Sequence, residues 1–272
     1  MKKLMALVAV LGLSTGLAAC GNDTASGDAE TSSTVTISGS SSVNALMEQL
    51  EPAFEAENST IDLKVSASGS SDGIKAAQEG TVDLGMSSRD LKTEEKSGVT
   101  EQVIALDGIA IITNADNPVQ DLTVEQVAKI YTGEITNWSE VGGPDLAIAV
   151  VARESASGTR GAFEEIVGIK DQMTTNAKEF NGTGGVKAEV AQNPNAIGYI
   201  SLGSVDETVQ AVAIEGAEAS AENVGNGTYL IARPFILVYQ EDELSDAAKQ
   251  FLDWTTTPEA QEIVAEDFIS VN

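Results

Sequence analysis

Three times in this chain a β-prone run stops at a serine- and glycine-rich turn and gives way to helical spacing, which restricts the fold to strands and helices alternating around an α/β sheet. In the first unit Val35-Thr36-Ile37 ends at Gly39, serines 40–42 follow, and Val43, Leu46, Met47, Leu50 and Phe54 recur at helical spacing. In the second, Ile61 to Val65 alternates apolar and polar residues, the turn runs from Ser66 to Gly73, and Ile74 and Ala77 mark the inner face of a helix. In the third, the buried-strand run Leu146 to Val151 is followed by Arg153-Glu-Ser-Ala-Ser-Gly-Thr159, and Phe163 and Ile166 open the helix.

A helix start carries amide N–H groups without a partner in its own helix and a partial positive charge, so it attracts an oxyanion. Serine and threonine hydroxyls add donors, and glycine lets the backbone approach a ligand. Taken singly, each turn also reads as ordinary helix capping. Three together point to a shared crevice, because strand ends in an open α/β sheet face one. Arg153 lies four residues before Ser157, where a guanidinium can grip two oxygens of a tetrahedral anion while Ser157, Gly158 and Thr159 offer hydroxyls and amides. The chain has only four arginines: Arg89, Arg153, Arg160 and Arg233. Arg89 reads either as a further ligand for the anion or as half of a surface ion pair.

The leader has Lys2 and Lys3, an apolar stretch from Leu4 to Leu17, and Ala18-Ala19 before Cys20. This is the pattern of a signal peptide over 1–19, too short to span a bilayer. The string Leu-Ala-Ala-Cys resembles a bacterial lipobox, which makes Cys20 the expected lipidation site and first mature residue. The alternative is a free thiol after an ordinary cleavage site. Residues 20–33 are small, polar and acidic and read as a flexible tether. No later apolar run approaches membrane-span length. The formal net charge of −27 argues against nucleic acid as a partner. It does not exclude an anionic ligand, since charges beyond about 8 Å are largely screened at physiological salt. There is no histidine, and Cys20 is the single cysteine, so the common zinc sites and the Ser-His and Cys-His nucleophile pairs are excluded. No metal or cofactor is expected.

With these residues in view, the chain resembles the substrate-binding lipoproteins of bacterial phosphate-specific ABC importers. The resemblance spans nearly all of Thr34 to Asn272 and rests on GSSSVNALM at 39–47, ASGSSDGIKAA at 67–77, GTVDLGMSSRDL at 80–91, RESASGTRGAF at 153–163 and NAIGYIS at 195–201. It implies a type II periplasmic-binding-protein fold, with two α/β lobes, two crossover strands and an anion held in the cleft. The implied phosphate ligands are Ser41, Ser42, Ser70, Arg153, Ser157, Gly158 and Thr159, the turns already singled out. The implied partners are inorganic phosphate, the permease subunits of an importer, and the membrane through the lipid on Cys20; the expected state is a monomer.

One position departs from the family. Where better-known members place an aspartate that accepts the proton of hydrogen phosphate, this chain has Ser88, followed by Arg89. Asp107, an acid inside the apolar run 103–112, is therefore the candidate acceptor; its alternative is a turn cap with Gly108. That run and the apolar run 229–238 are the candidate crossovers, which divides the chain into lobe one (34–112 and 230–272) and lobe two (113–229). The rival layout is one continuous sheet without a hinge. Rival functions are a binder of sulfate or molybdate, a secreted phosphatase, which lacks the usual metal cluster or cysteine nucleophile, and a sensor or surface interaction protein.

Overall fold

The computed structural model describes residues 32–272; the leader, Cys20 and the tether through residue 31 lie outside the described residues. Strand β1 (Ser33–Gly39) leads into helix α1 (Ser41–Glu57), β2 (Ile61–Ala67) into α2 (Ser70–Gln78), and β3 (Leu84–Ser87) into the turn that carries Ser88. The long strand β4 (Thr100–Asn114) follows, then β5 (Asp121–Leu122) and α3 (Val124–Thr132). Next come β6 (Ala149–Arg153), α4 (Gly158–Ile166), β7 (Lys178–Phe180), α5 (Gly182–Gln192) and β8 (Ala196–Ser201). Short strands β9 (Val209–Ala211) and β10 (Ala213–Ile214) and helix α6 (Ala221–Gly225) precede β11 (Ala232–Tyr239) and the closing helices α7 (Asp246–Trp254) and α8 (Pro258–Asp267).

The main sheet has the order β2-β1-β3-β11-β4-β8-β6-β7, with β9 also on β4; β10 pairs β5 separately. The strands that lead into the serine- and glycine-rich turns pair in parallel, β1 with β2 and β3 and β6 with β7, and β6 also runs parallel to β8. Strand β11 runs antiparallel to β3 and β4, and β4 antiparallel to β8. Parallel neighbours place the helix starts at one end of the sheet, the end where ligands bind in open α/β folds.

The apolar pattern explains which faces are covered. On α1 the residues at helical spacing, Val43, Leu46, Met47, Leu50 and Phe54, are all buried, in one core with Val35, Ile37, Leu63 and Met86. Phe54 meets Phe251 and Trp254 edge-on at centroid distances of 5.0 and 5.4 Å, which fastens the C-terminal helices to this core. A second core holds Ile109, Ile111, Tyr131, Trp138, Phe163 and Tyr199. Strand β4 feeds both: Ile104 and Ala105 lie in the first, Ile109 and Ile111 in the second. Strand β11 does the same with Phe235 and Ile231 just before it. Alternate residues of β4, Ala110 and Ile112, face a third cluster on the opposite side, the period of two that a doubly covered sheet demands.

Two local expectations shift. The strand expected over 146–151 starts at Ala149 and runs to Arg153. Leu146 is exposed, and its carbonyl accepts the Trp138 N–H while Ala147 bridges Asn137, so this stretch is bound to a turn instead of the sheet. Asp107 and Gly108 lie in the middle of β4, with no turn for the aspartate to cap. The Thr-Pro break at 257–258 does separate two helices, Thr257 capping α8 through its side chain and Pro258 occupying the first turn. No helix among the described residues is long and apolar enough to cross a membrane.

Candidate functional site

Four helix starts converge. Ser40 caps α1 by accepting the Ser42 and Val43 N–H groups, and Ser157 caps α4 by accepting the Arg160 N–H. These caps fix the turns so that the next residues project inward. The Ser42 hydroxyl meets those of Thr159 and Thr183 at 2.9 and 3.2 Å, and the Ser41 hydroxyl meets that of Thr183 at 3.3 Å. Ser40 donates to the Ser88 hydroxyl at 2.8 Å, and Ser88 lies 3.3 Å from the Ser70 hydroxyl. Ser42, Ser70, Ser88, Ser157, Thr159 and Thr183 are all buried. Hydroxyls this dense can present several donors to a group with many acceptors.

The approach is close because Gly158 lacks a side chain. A Cβ there would sit 2.1 Å from the Ser70 Oγ and 2.7 Å from the Ser88 Oγ. Gly69 performs a second close approach: with φ at +106° it lies against Ala156, whose carbonyl accepts the Ser71 N–H at 3.1 Å. Outside the cluster a groove of about 500 Å³, lined in part by Ser41, Gly69, Asp72, Glu154 and Gly182, opens toward solvent.

Arg153, 1% exposed, supplies the charge. Its NH2 donates to Ser41 at 2.9 Å, and its NH1 is 3.4 Å from both Thr159 and Thr183 hydroxyls. The Nε and NH2 groups also grip the Glu154 carboxylate, both at 2.9 Å, and Gly182 N–H donates to the same carboxylate. Burial alone raises the Glu154 carboxyl, yet these donors hold it below its ordinary value, so Glu154 is ionised and fixes the guanidinium plane. Behind Arg153, its own N–H donates to the Tyr199 hydroxyl at 3.1 Å, and Tyr199 stacks on Phe163 at 4.1 Å. The arginine is thus held through its backbone by Tyr199 and through its guanidinium by a carboxylate.

Of the residues named from sequence, Ser41, Ser42, Ser70, Ser88, Arg153, Ser157, Gly158 and Thr159 come together. Arg89 does not. Its guanidinium forms a fork on Glu95 at 2.7 and 2.8 Å and donates to the Asp90 carbonyl and the Ser71 hydroxyl. The ion-pair alternative describes it, with both side chains largely buried. Asp107 is fully buried but does not face the hydroxyls: its Oδ2 accepts Nε and NH2 of Arg233, and its Oδ1 accepts the Ser201 hydroxyl. Burial raises its carboxyl above the ordinary range against the pull of Arg233. Among the described residues, no group of histidine, cysteine and carboxylate side chains is arranged to hold a metal.

The sequence reading did not name Thr183 and gave Arg233 no role. Thr183 starts α5 in the turn Asn181-Gly-Thr-Gly-Gly185, a fourth unit of the repeat, hidden because its strand β7 has only three residues. Arg233 interrupts the apolar run 229–238 as Asp107 interrupts 103–112. Opposite charges in the two runs expected to be the crossovers were the available signal.

A family model for the PBP superfamily domain matches residues 24–259. The phosphate-binding protein PstS of Bacillus subtilis (strain 168) is 33% identical, over 92% of this chain and 87% of its own length. The chain belongs to the PstS family of that superfamily. PstS of Borreliella burgdorferi is 30% identical over 85% of the chain and 88% of its own length. A structure from Clostridium perfringens, described as a phosphate ABC transporter substrate-binding protein with bound phosphate, superposes with a TM-score of 0.87 at 49% identity, covering 88% of this chain and 100% of that one. An ABC-type phosphate transport receptor from Vibrio cholerae gives a TM-score of 0.74 at 36% identity over 88% of this chain and 100% of its own. The expected α/β fold of periplasmic-binding type is therefore the observed one.

Proposed function

We propose that this chain is an extracytoplasmic binding protein that captures inorganic phosphate and delivers it to the permease subunits of an ABC importer. The observation that carries this reading is the buried cluster of hydroxyls from four helix starts around Arg153, a donor shell built for a compact tetrahedral anion. Relatives that it resembles over most of their length are named for phosphate binding and transport. Binding requires no bond to be made or broken. Arg153, Ser41, Ser42, Ser70, Ser88, Gly158, Thr159 and Thr183 surround the anion, Ser157 holds the helix start in place, and the two halves of the molecule close over it.

In this reading residues 34–112 with 230–272 act as one lobe and 113–229 as the other, with β4 and β11 as crossovers. Cys20 carries the lipid, and the tether keeps the clamp near its importer, which raises its local concentration there. A second reading, a binder of other tetrahedral oxyanions, is favoured by one observation: Ser88 stands where the family aspartate would repel an anion lacking a proton, and a hydroxyl both donates and accepts.

Titration calorimetry with phosphate, sulfate and molybdate between pH 5 and 8 separates the two. The phosphate reading expects saturable phosphate binding with sulfate weaker by on the order of 100-fold or more. Equal affinities favour the second reading. Turnover of a phosphomonoester by the purified protein would sink both.

A further inference from the structure

Asp107 and Arg233 are register partners on antiparallel β4 and β11, at the point where both strands pass from one core to the other. Both are buried, Asp107 completely and Arg233 to 3% exposure. Arg233 gives Nε and NH2 to Asp107 at 3.1 and 2.9 Å, and its remaining arm, NH1, donates to the Ser88 carbonyl at 3.2 Å. The Phe235 ring lies 5.4 Å from the guanidinium carbon. On the other side, Asp107 accepts the Ser201 hydroxyl at 3.0 Å. Ser88 follows β3 in the first half of the sheet, and Ser201 ends β8 in the second. A buried line of four residues therefore runs under the hydroxyl cluster from one half to the other.

A buried ion pair is a poor way to gain stability, because desolvating both ions costs about what their attraction returns. Nor does this pair offer the anion a net charge, since Asp107 offsets Arg233. What it supplies is position. The one arm of Arg233 not used by Asp107 is spent on the backbone of Ser88, the residue whose hydroxyl links Ser40 to Ser70 and faces Gly158. We propose that Arg233, oriented by Asp107, is a positioning residue for phosphate recognition, fixing the Ser88 turn so that its hydroxyl faces the anion. The proposal rests on the reading of the hydroxyl cluster as the phosphate site. It gives Asp107 a different task from accepting the phosphate proton: aligning the arginine.

The test is a double-mutant cycle read by phosphate calorimetry on the full mature chain. One arm replaces the pair by apolar residues together, Arg233→Met with Asp107→Leu, leaving no lone buried charge, so the protein should melt near the wild-type temperature. The other arm is Ser88→Ala. The pair variant and Ser88→Ala are each expected to weaken phosphate binding about tenfold. If the pair acts through Ser88, removing it from the Ser88→Ala protein weakens binding by less than about threefold more. Losses that multiply independently, or a pair variant that binds like the wild type, overturn the proposal. If the pair variant does not fold, Arg233→Lys takes its place in the same cycle with the same criterion, since it keeps the charge and gives up the fork. Absence of phosphate binding by the wild type refutes the underlying reading, and binding indifferent to the pair refutes only this inference.

Discussion

Replacing Gly158 by alanine isolates closure from folding. A methyl group there would stand 2.1 Å from the Ser70 Oγ, 2.7 Å from the Ser70 Cβ and 2.7 Å from the Ser88 Oγ. Ordinary carbon contacts begin near 3.5 Å, so the α4 start and the Ser70 and Ser88 turns have to separate by roughly 1 Å. Misplacement of that size costs about 100-fold where several donors share one small ligand. That corresponds to about 2.7 kcal/mol. The helix itself does not suffer, because Gly158 is its first residue and alanine is the better helix former. The expected result is a protein that melts normally without ligand, binds phosphate about 100-fold more weakly and loses about 2.7 kcal/mol of ligand-induced stabilisation at fixed excess phosphate. Gly161→Ala is the control: its Cβ would meet only the Arg89 side chain, Cδ at 3.1 Å and Nε at 3.5 Å, and affinity should hold. A Gly158→Ala protein that binds within threefold of wild type refutes the claim that the four helix starts must meet around the anion.

Thr183→Ala, at the turn the sequence reading passed over, should weaken phosphate binding about tenfold in calorimetry, and no change would remove it from the site. Arg153→Lys keeps the charge but loses the fork on Glu154 and the reach to Ser41, so affinity should fall on the order of 10- to 100-fold in the same assay. Arg89→Gln should leave phosphate affinity within about threefold while lowering the melting temperature, because its partners are Glu95, Asp90 and Ser71 and lie off the cluster. The Arg89 fork also sets a pH dependence: burial alone raises the Glu95 carboxyl, but the arginine and the Lys92 N–H bring it below its ordinary value. Stability from this pair is thus present above the unfolded carboxyl pKa of about 4.5 and lost as pH falls through the lower folded value. Denaturant melts from pH 7 to 3 should show that loss, and Glu95→Gln should flatten it.

Much of the fold was legible because the pattern is periodic where it matters. The five apolar residues read on α1 are the apolar residues of its buried face, and the runs 103–112 and 229–238 lie largely in the two strands shared by both cores. The candidate cluster was legible where chemistry is local: Ser41, Ser42, Ser70, Arg153, Gly158 and Thr159 sit at turns whose composition announces a helix start. What stayed hidden is set by partners distant in sequence. Arg89 looks the same in one dimension whether it faces an anion or Glu95. Asp107 could be recognised as a charge in need of a reason, but its reason, Arg233, lies 126 residues away. Thr183 follows a three-residue strand that gives too short a period to see.

Strand order has a consequence for how the chain acquires its shape. β11, the last strand, lies between β3 and β4, which do not pair with each other. The first half of the sheet therefore stays split until residues 232–239 arrive, and α7 and α8 close its core later still. By contrast the partners of β8, namely β4, β6 and the helices around them, are all upstream of it. The middle of the chain can organise early, while the ends must wait for each other across about 200 residues, a long loop closure that slows folding. The Ser88 turn, which needs Arg233 from β11, is thus among the final parts to be set.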